Sequence, residues 1–183
     1  MGVALAAQAV PVTWTFQEDG LGDLGSSTRT FTEMGVSLTA TSSGPNLYAK
    51  SSGGDETGLG LVGTADHEIT GRTFIQLTMP TVPLSSLKFI FLGSVQQGEL
   101  ANIYFSPVPG VLGTKLGTVT SDSSFDISGL GAGYLGISGG GKGGADVLLD
   151  SVTADVRVPD SGTTVAMLGC ALAALGLVRR KLV

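Results

Sequence analysis

The stretch TFIQLTM (Thr73–Met79) places Ile75, Leu77 and Met79 on one side of an extended chain and Gln76 and Thr78 on the other. Successive side chains of a strand point to opposite faces, so this period of two predicts a β-strand with one buried and one polar face. The same reading extends in both directions. Val12, Trp14 and Phe16 share an apolar face that predicts core rather than a platform for sugar rings, and Phe125 and Ile127 flank Asp126 in the same way. Strands are predicted at 12–16, 29–41, 46–50, 73–79, 87–92, 102–106, 117–120, 124–127, 134–138 and 146–156, bounded by Gly, Ser, Asn, Asp and Pro. The run LKFIFL (Leu87–Leu92) lacks alternation and predicts a strand buried on both faces.

No stretch of the body repeats apolar residues at helical spacing over three turns. Ten short strands therefore predict an all-β fold, an antiparallel two-sheet sandwich of jelly-roll type. Three regions follow: residues 1–9, a sandwich domain at 10–157, and a distinct C-terminal segment at 158–183.

Composition narrows the function. The 183 residues include 29 glycines, and only 14% are charged, well below the usual quarter. Fifteen acids oppose ten cations. Removing Arg179, Arg180 and Lys181 leaves 7 cations against 15 acids, a net charge of −8. Such a body repels nucleic acid, whose binding rests on neutralising phosphates. The single cysteine, Cys170, lies outside the sandwich, so no disulfide framework is expected there.

Several motifs fail on their context. Gly58-Leu59-Gly60-Leu61-Val62-Gly63 fits G-x-G-x-x-G, yet no helix is predicted after it and residues 78–88 contain no acid to hold a ribose. GISGGGK (Gly136–Lys142) is followed by Gly143 instead of the Ser or Thr that would hold magnesium, and predicts a flexible hairpin connection. His67, the only histidine, has neither a second histidine nor a body cysteine to complete a zinc site, and no G-x-S-x-G elbow for a triad. It is expected as a solvated loop residue between acids. No enzyme is predicted and no cofactor is required.

Calcium is the one metal the acids admit. Asp55, Glu56, Asp66 and Glu68 are close in sequence and fall in a predicted loop, a weak candidate for a structural ion, while Asp146, Asp150 and Asp155 space out along the last strand.

The ends carry a different signal. MGVALAAQA (Met1–Ala9) ends in Ala7-Gln8-Ala9, the A-x-A pattern of a signal-peptidase site, and is expected to be the remnant of a secretory leader. At the other end, Thr163–Val178 is a run of sixteen residues without a charge, followed by Arg179, Arg180 and Lys181. As a helix it rises about 24 Å, just short of the hydrocarbon thickness of a bilayer. The cationic end predicts a membrane stop that stays cytoplasmic, leaving the sandwich outside.

Val158-Pro159-Asp160-Ser161-Gly162, the apolar run and the basic terminus, in that order, resemble the VPDSG-CTERM variant of the PEP-CTERM sorting signals. GLGLVGTADHEI (Gly58–Ile69) is also similar to a segment found in proteins bearing such tails, where Asp often stands at the position of Thr70. The resemblance implies an exosortase substrate of a Gram-negative bacterium. It would be exported, held transiently in the inner membrane, and delivered to the cell surface or the extracellular polysaccharide matrix, with Val158–Gly162 as a recognition sequence. Two functions for the sandwich follow as expectations: a non-enzymatic surface or matrix protein, or a polysaccharide-binding module with calcium as an assisting ion. The second requires an exposed aromatic or acidic cluster on one sheet.

Overall fold

A computed structural model of the chain describes residues 9–16, 22–51, 56–79, 82, 86–141, 146–157 and 169. Their regular structure is almost wholly extended: β1 (Ala9–Thr15), β2 (Gly22–Asp23), β3 (Thr28–Glu33), β4 (Val36–Ser42), β5 (Leu47–Ser51), β6 (Thr57–Leu61), β7 (Ile75–Thr78), β8 (Leu87–Gly93), β9 (Glu99–Ser106), β10 (Thr114–Val119), β11 (Ser123–Asp126), β12 (Tyr134–Gly141) and β13 (Leu148–Arg157), with a short 3₁₀ turn at Ala65–His67. One sheet runs β11-β8-β13-β6-β5-β2, with β1 also pairing β13, and the other runs β10-β9-β12-β7-β4-β3. The result is an all-β sandwich of two antiparallel sheets, and Pro11–Val156 forms one compact unit.

The core is the set of inward positions of both sheets. Leu38, Ile75, Leu77, Ile103, Leu135 and Ile137 come from one, and Leu59, Leu61, Ile90, Leu92, Leu149 and Val152 from the other, all at 0% exposure. Each such aliphatic side chain contributes about 1.5–3 kcal/mol by leaving water. Val12, Trp14 and Phe16 are core as expected. The Trp14 indole N–H donates to the Val36 carbonyl at 3.2 Å, and Phe16 meets Phe31 edge to face with ring centroids 4.8 Å apart.

Four predicted boundaries or faces are corrected. The single strand expected at 29–41 is a hairpin, β3–β4, reversing at Met34 (φ 49) and Gly35 (φ 77). Positive φ at both central residues suits the right-handed twist of a two-residue turn, but Met-Gly lacks the Asn or Asp that usually marks one. On its outer face the hydroxyls of Thr30 and Thr39 meet at 2.9 Å and those of Thr32 and Ser37 at 3.2 Å, which accounts for the threonine-rich sequence. GISGG is no flexible connection: β12 continues through Gly141 and pairs Gly139, Gly140 and Gly141 with Ala101, Leu100 and Glu99. Gln76, expected on a polar face, is 4% exposed, because the segment after β9 folds over it; the Gln76 amide accepts from Gly110 N–H at 2.7 Å and donates to the Val111 carbonyl at 3.0 Å.

LKFIFL is buried on one face only. Leu87, Ile90 and Leu92 point inward, whereas Phe89 and Phe91 are 47% and 38% exposed. Alternation was hidden because the outward residues are themselves aromatic.

The leader remnant expected at 1–9 lies outside the described residues except for Ala9, where β1 begins. Val158–Gly162, Arg179, Arg180, Lys181 and the apolar run 163–178, apart from residue 169, lie outside them as well. Among the described residues no helix is long and apolar enough to cross a membrane.

Candidate functional site

The GLG sequence, which falls in none of the predicted strands, is strand β6, and its glycines are required by close approach. A Cβ on Gly58 (φ 146) would lie 2.7 Å from the Leu149 carbonyl oxygen, and one on Gly60 would lie 1.9 Å from that of His67. The chain after β6 can therefore fold back onto the strand, through the 3₁₀ turn in which Asp66 (φ 51) and His67 (φ 63) both adopt left-handed backbone. The turn is completed by backbone bonds between Ile69 and Val147, at 2.9 and 3.1 Å.

This fold-back carries Asp66 and Glu68 to the end of the β5–β6 hairpin, where Lys50 lies opposite Gly58. Lys50 is 5% exposed. Its Nζ donates to Glu68 Oε1 at 2.6 Å, to Asp66 Oδ2 at 2.8 Å and to Glu56 Oε2. Glu68 is itself 3% exposed, whereas the Asp66 side chain is 69% exposed. Ser94, held at φ 56 just after β8, donates its hydroxyl to Glu68 Oε1 at 2.9 Å and lies 3.2 Å from Glu56 Oε1. Gln96 Nε2 donates to Glu56 Oε1 at 3.0 Å.

Burial alone would pull the Lys50 ammonium down, but hydrogen bonds to Asp66, Glu56 and Glu68 overcome it and hold the group well above the ordinary lysine value. The hydrogen bond from Lys50 holds the carboxyls of Glu56 and Asp66 below the usual carboxylate range. Burial pushes Glu68 up, against the pull of Lys50 and Ser94. One cluster thus contains a cation, two stabilised carboxylates and one carboxyl whose neutral form burial favours.

Three of the four weak calcium candidates, Glu56, Asp66 and Glu68, are brought together, their oxygens within 4.8 Å of one another; Asp55 lies outside the described residues. The position a cation would take among them is filled by the ammonium of Lys50. Glu68, expected in a loop, is buried because Gly60 leaves room for the segment above it. Asp146, Asp150 and Asp155 do not converge: Asp155 reaches Lys88 at 3.4 Å, and Asp146 Oδ1 is buried without a hydrogen-bond partner among the described residues. His67 is not a solvated residue either. It is half-buried, with its ring stacked 4.0 Å from that of Tyr48 at an interplanar angle of 11°. Lys50, Ser94 and Gln96 were missed, since 50, 56, 68, 94 and 96 follow no period.

Comparison with known proteins returned no match among curated proteins and none among solved structures. A family model described as the VPDSG-CTERM motif matches residues 157–182, starting at Arg157, the last residue of β13. Directly after the sandwich, the chain therefore carries the C-terminal sorting signal of exosortase substrates.

Proposed function

We propose that this is a non-enzymatic, exported surface or matrix protein of a Gram-negative bacterium, held transiently in the inner membrane by residues 163–178 and processed by an exosortase-type enzyme near Val158–Gly162. The observation that carries the reading is the sorting motif at 157–182, placed where the last strand ends. The cationic Arg179, Arg180 and Lys181 support a cytoplasmic terminus and an external sandwich. The non-enzymatic part draws support from the cluster around Lys50: its acids are engaged with a lysine instead of facing a cleft.

The test compares the full chain with a form ending at Val156 in a host encoding an exosortase. Released protein lacking the residues beyond about 160, with the shortened form exported but not sorted, is the expected result. A full-length chain retained intact in the membrane or cytoplasm would overturn it.

A second reading, polysaccharide binding, is favoured by the pair Phe89 and Phe91. Their register partners present hydroxyls and an acid on the same face: Ser124 and Ser151 opposite Phe91, Asp126 and Thr153 opposite Phe89. Aromatic faces flanked by such groups suit stacking on a sugar ring with hydrogen bonds at its rim. The order β6-β13-β8-β11 facing β7-β12-β9-β10 is that of a jelly roll, an architecture that includes lectin domains, which raises the reading by analogy only. Retention of the purified protein on the host's own exopolysaccharide, lost when both Phe89 and Phe91 are replaced by Ala, is the check.

A further inference from the structure

The cluster around Lys50 holds more than an ion pair needs. We propose that Lys50 and Glu68 condense into an intramolecular amide, cross-linking strand β5 to the segment that follows the 65–67 turn. Lys50 Nζ and Glu68 Oε1 are 2.6 Å apart, in residues 5% and 3% exposed. The amine is therefore one hydrogen bond from the carboxyl group it would attack, between two residues that are almost wholly removed from bulk water.

The neighbours supply the remaining chemistry. Glu56, in contact with Nζ and held ionised by it, is the base that takes a proton from the ammonium. Glu68, whose neutral form burial favours, is the electrophile, and the Ser94 hydroxyl donating to its Oε1 at 2.9 Å stabilises the oxyanion of the tetrahedral intermediate. Environments that drive two carboxyls in opposite directions are what assign base and acid. The neutral amine forms the Nζ–Cδ bond, the Cδ–Oε2 bond breaks, and the departing hydroxyl leaves as water with the proton carried by Glu56. Overall the ammonium and the neutral carboxyl give an amide, one water and one proton, with no change of oxidation state.

Asp66 and Glu56 are poorer acceptors. Their side chains are 69% and 29% exposed, and Lys50 holds both in the ionised form, which resists attack. Three of the four non-glycine residues with positive φ among the described residues, Asp66, His67 and Ser94, border the cluster, so its geometry is imposed by strained backbone. Because the carboxylates of Glu56 and Asp66 hold the ammonium charged, deprotonation is the barrier. The reaction is a single slow maturation step that replaces a buried ammonium and its carboxyl partner by a neutral, hydrogen-bonding amide.

High-resolution mass spectrometry of the purified full chain, under denaturing conditions, tests this directly. The expected mass is one water below that calculated from the sequence, with proteolysis releasing a branched peptide that joins residues 50 and 68. Lys50→Arg, which keeps the cation, is expected at its full calculated mass, and Asp66→Asn is expected to keep the deficit. Full mass for the unmodified chain after prolonged incubation at neutral pH would leave an ordinary ion pair and overturn the proposal. So would a deficit that persists in Lys50→Arg, or a branch mapped to Asp66 or Glu56. The mass of the unmodified chain decides without any variant, and the readout is independent of sorting or polysaccharide binding.

Discussion

The carbonyl oxygen of His67 occupies the space where a side chain on Gly60 would begin, 1.9 Å from an ideal Cβ. Through this contact strand β6 supports the 64–69 segment and so fixes Glu68 against Lys50.

Gly60→Ala is expected to destabilise the sandwich by about 4 kcal/mol or more, since backbone and not a flexible side chain must move. Gly63 is the control: its φ is 76, but nothing lies within 4 Å of a Cβ there. Gly63→Ala should cost about 1–2 kcal/mol, the ordinary penalty of left-handed backbone. Urea unfolding of both variants separates the two, and equal losses would sink the close-approach account.

Trp14 tests how far β1 belongs to the core. Trp14→Ala is expected to cost about 3–5 kcal/mol, by loss of a large buried side chain. Trp14→Phe should add to its packing loss about 1 kcal/mol or more for the Val36 carbonyl left without its donor. A fall in denaturation midpoint of less than a tenth for Trp14→Ala would show that β1 is peripheral.

Asp146 gives a pH signature. Burial, then repulsion from Glu99 and Asp66, raises its carboxyl above the ordinary aspartate value of 3.8. A carboxyl raised in the folded state favours folding while protonated, and that contribution is lost as pH rises from 3.8 through the folded value. Asp146→Asn is thus expected to raise Tm at pH 7 by roughly 2 °C and to leave it unchanged below the unfolded pKa. Thermal melts at both pH values decide, and a gain that is larger in acid contradicts the assignment.

Phe89 and Phe91 separate binding from folding. Because both rings are largely outside the core, the double Ala variant should move Tm by no more than about 2 °C. Loss of a stacking platform should weaken polysaccharide retention by about tenfold or more. Affinity electrophoresis in the presence of the polymer reports the second effect; unchanged mobility of the native protein in it removes the reading.

Local pattern alone determined most of the architecture. Alternation at 73–79, at 12–16 and at 125–127 marked strands with one apolar face, and segments of that kind bury their apolar sides only by facing two sheets together. The sorting signal was equally legible, because it is linear: order, spacing and position at the terminus are all in the chain itself. What alternation could not reveal lay where a second layer overrode it. Gln76 is buried because a distant loop covers its polar face, Phe89 and Phe91 are exposed although apolar, and a glycine-rich stretch is a strand because Leu149 and His67 press against it. The Lys50 cluster was decided by tertiary structure alone. Its acids were visible as neighbours in sequence, but only the β5–β6 hairpin, the fold-back over Gly60 and the end of β8 bring Lys50, Glu56, Glu68 and Ser94 within hydrogen-bond reach, and no local pattern encodes a meeting of four separate segments.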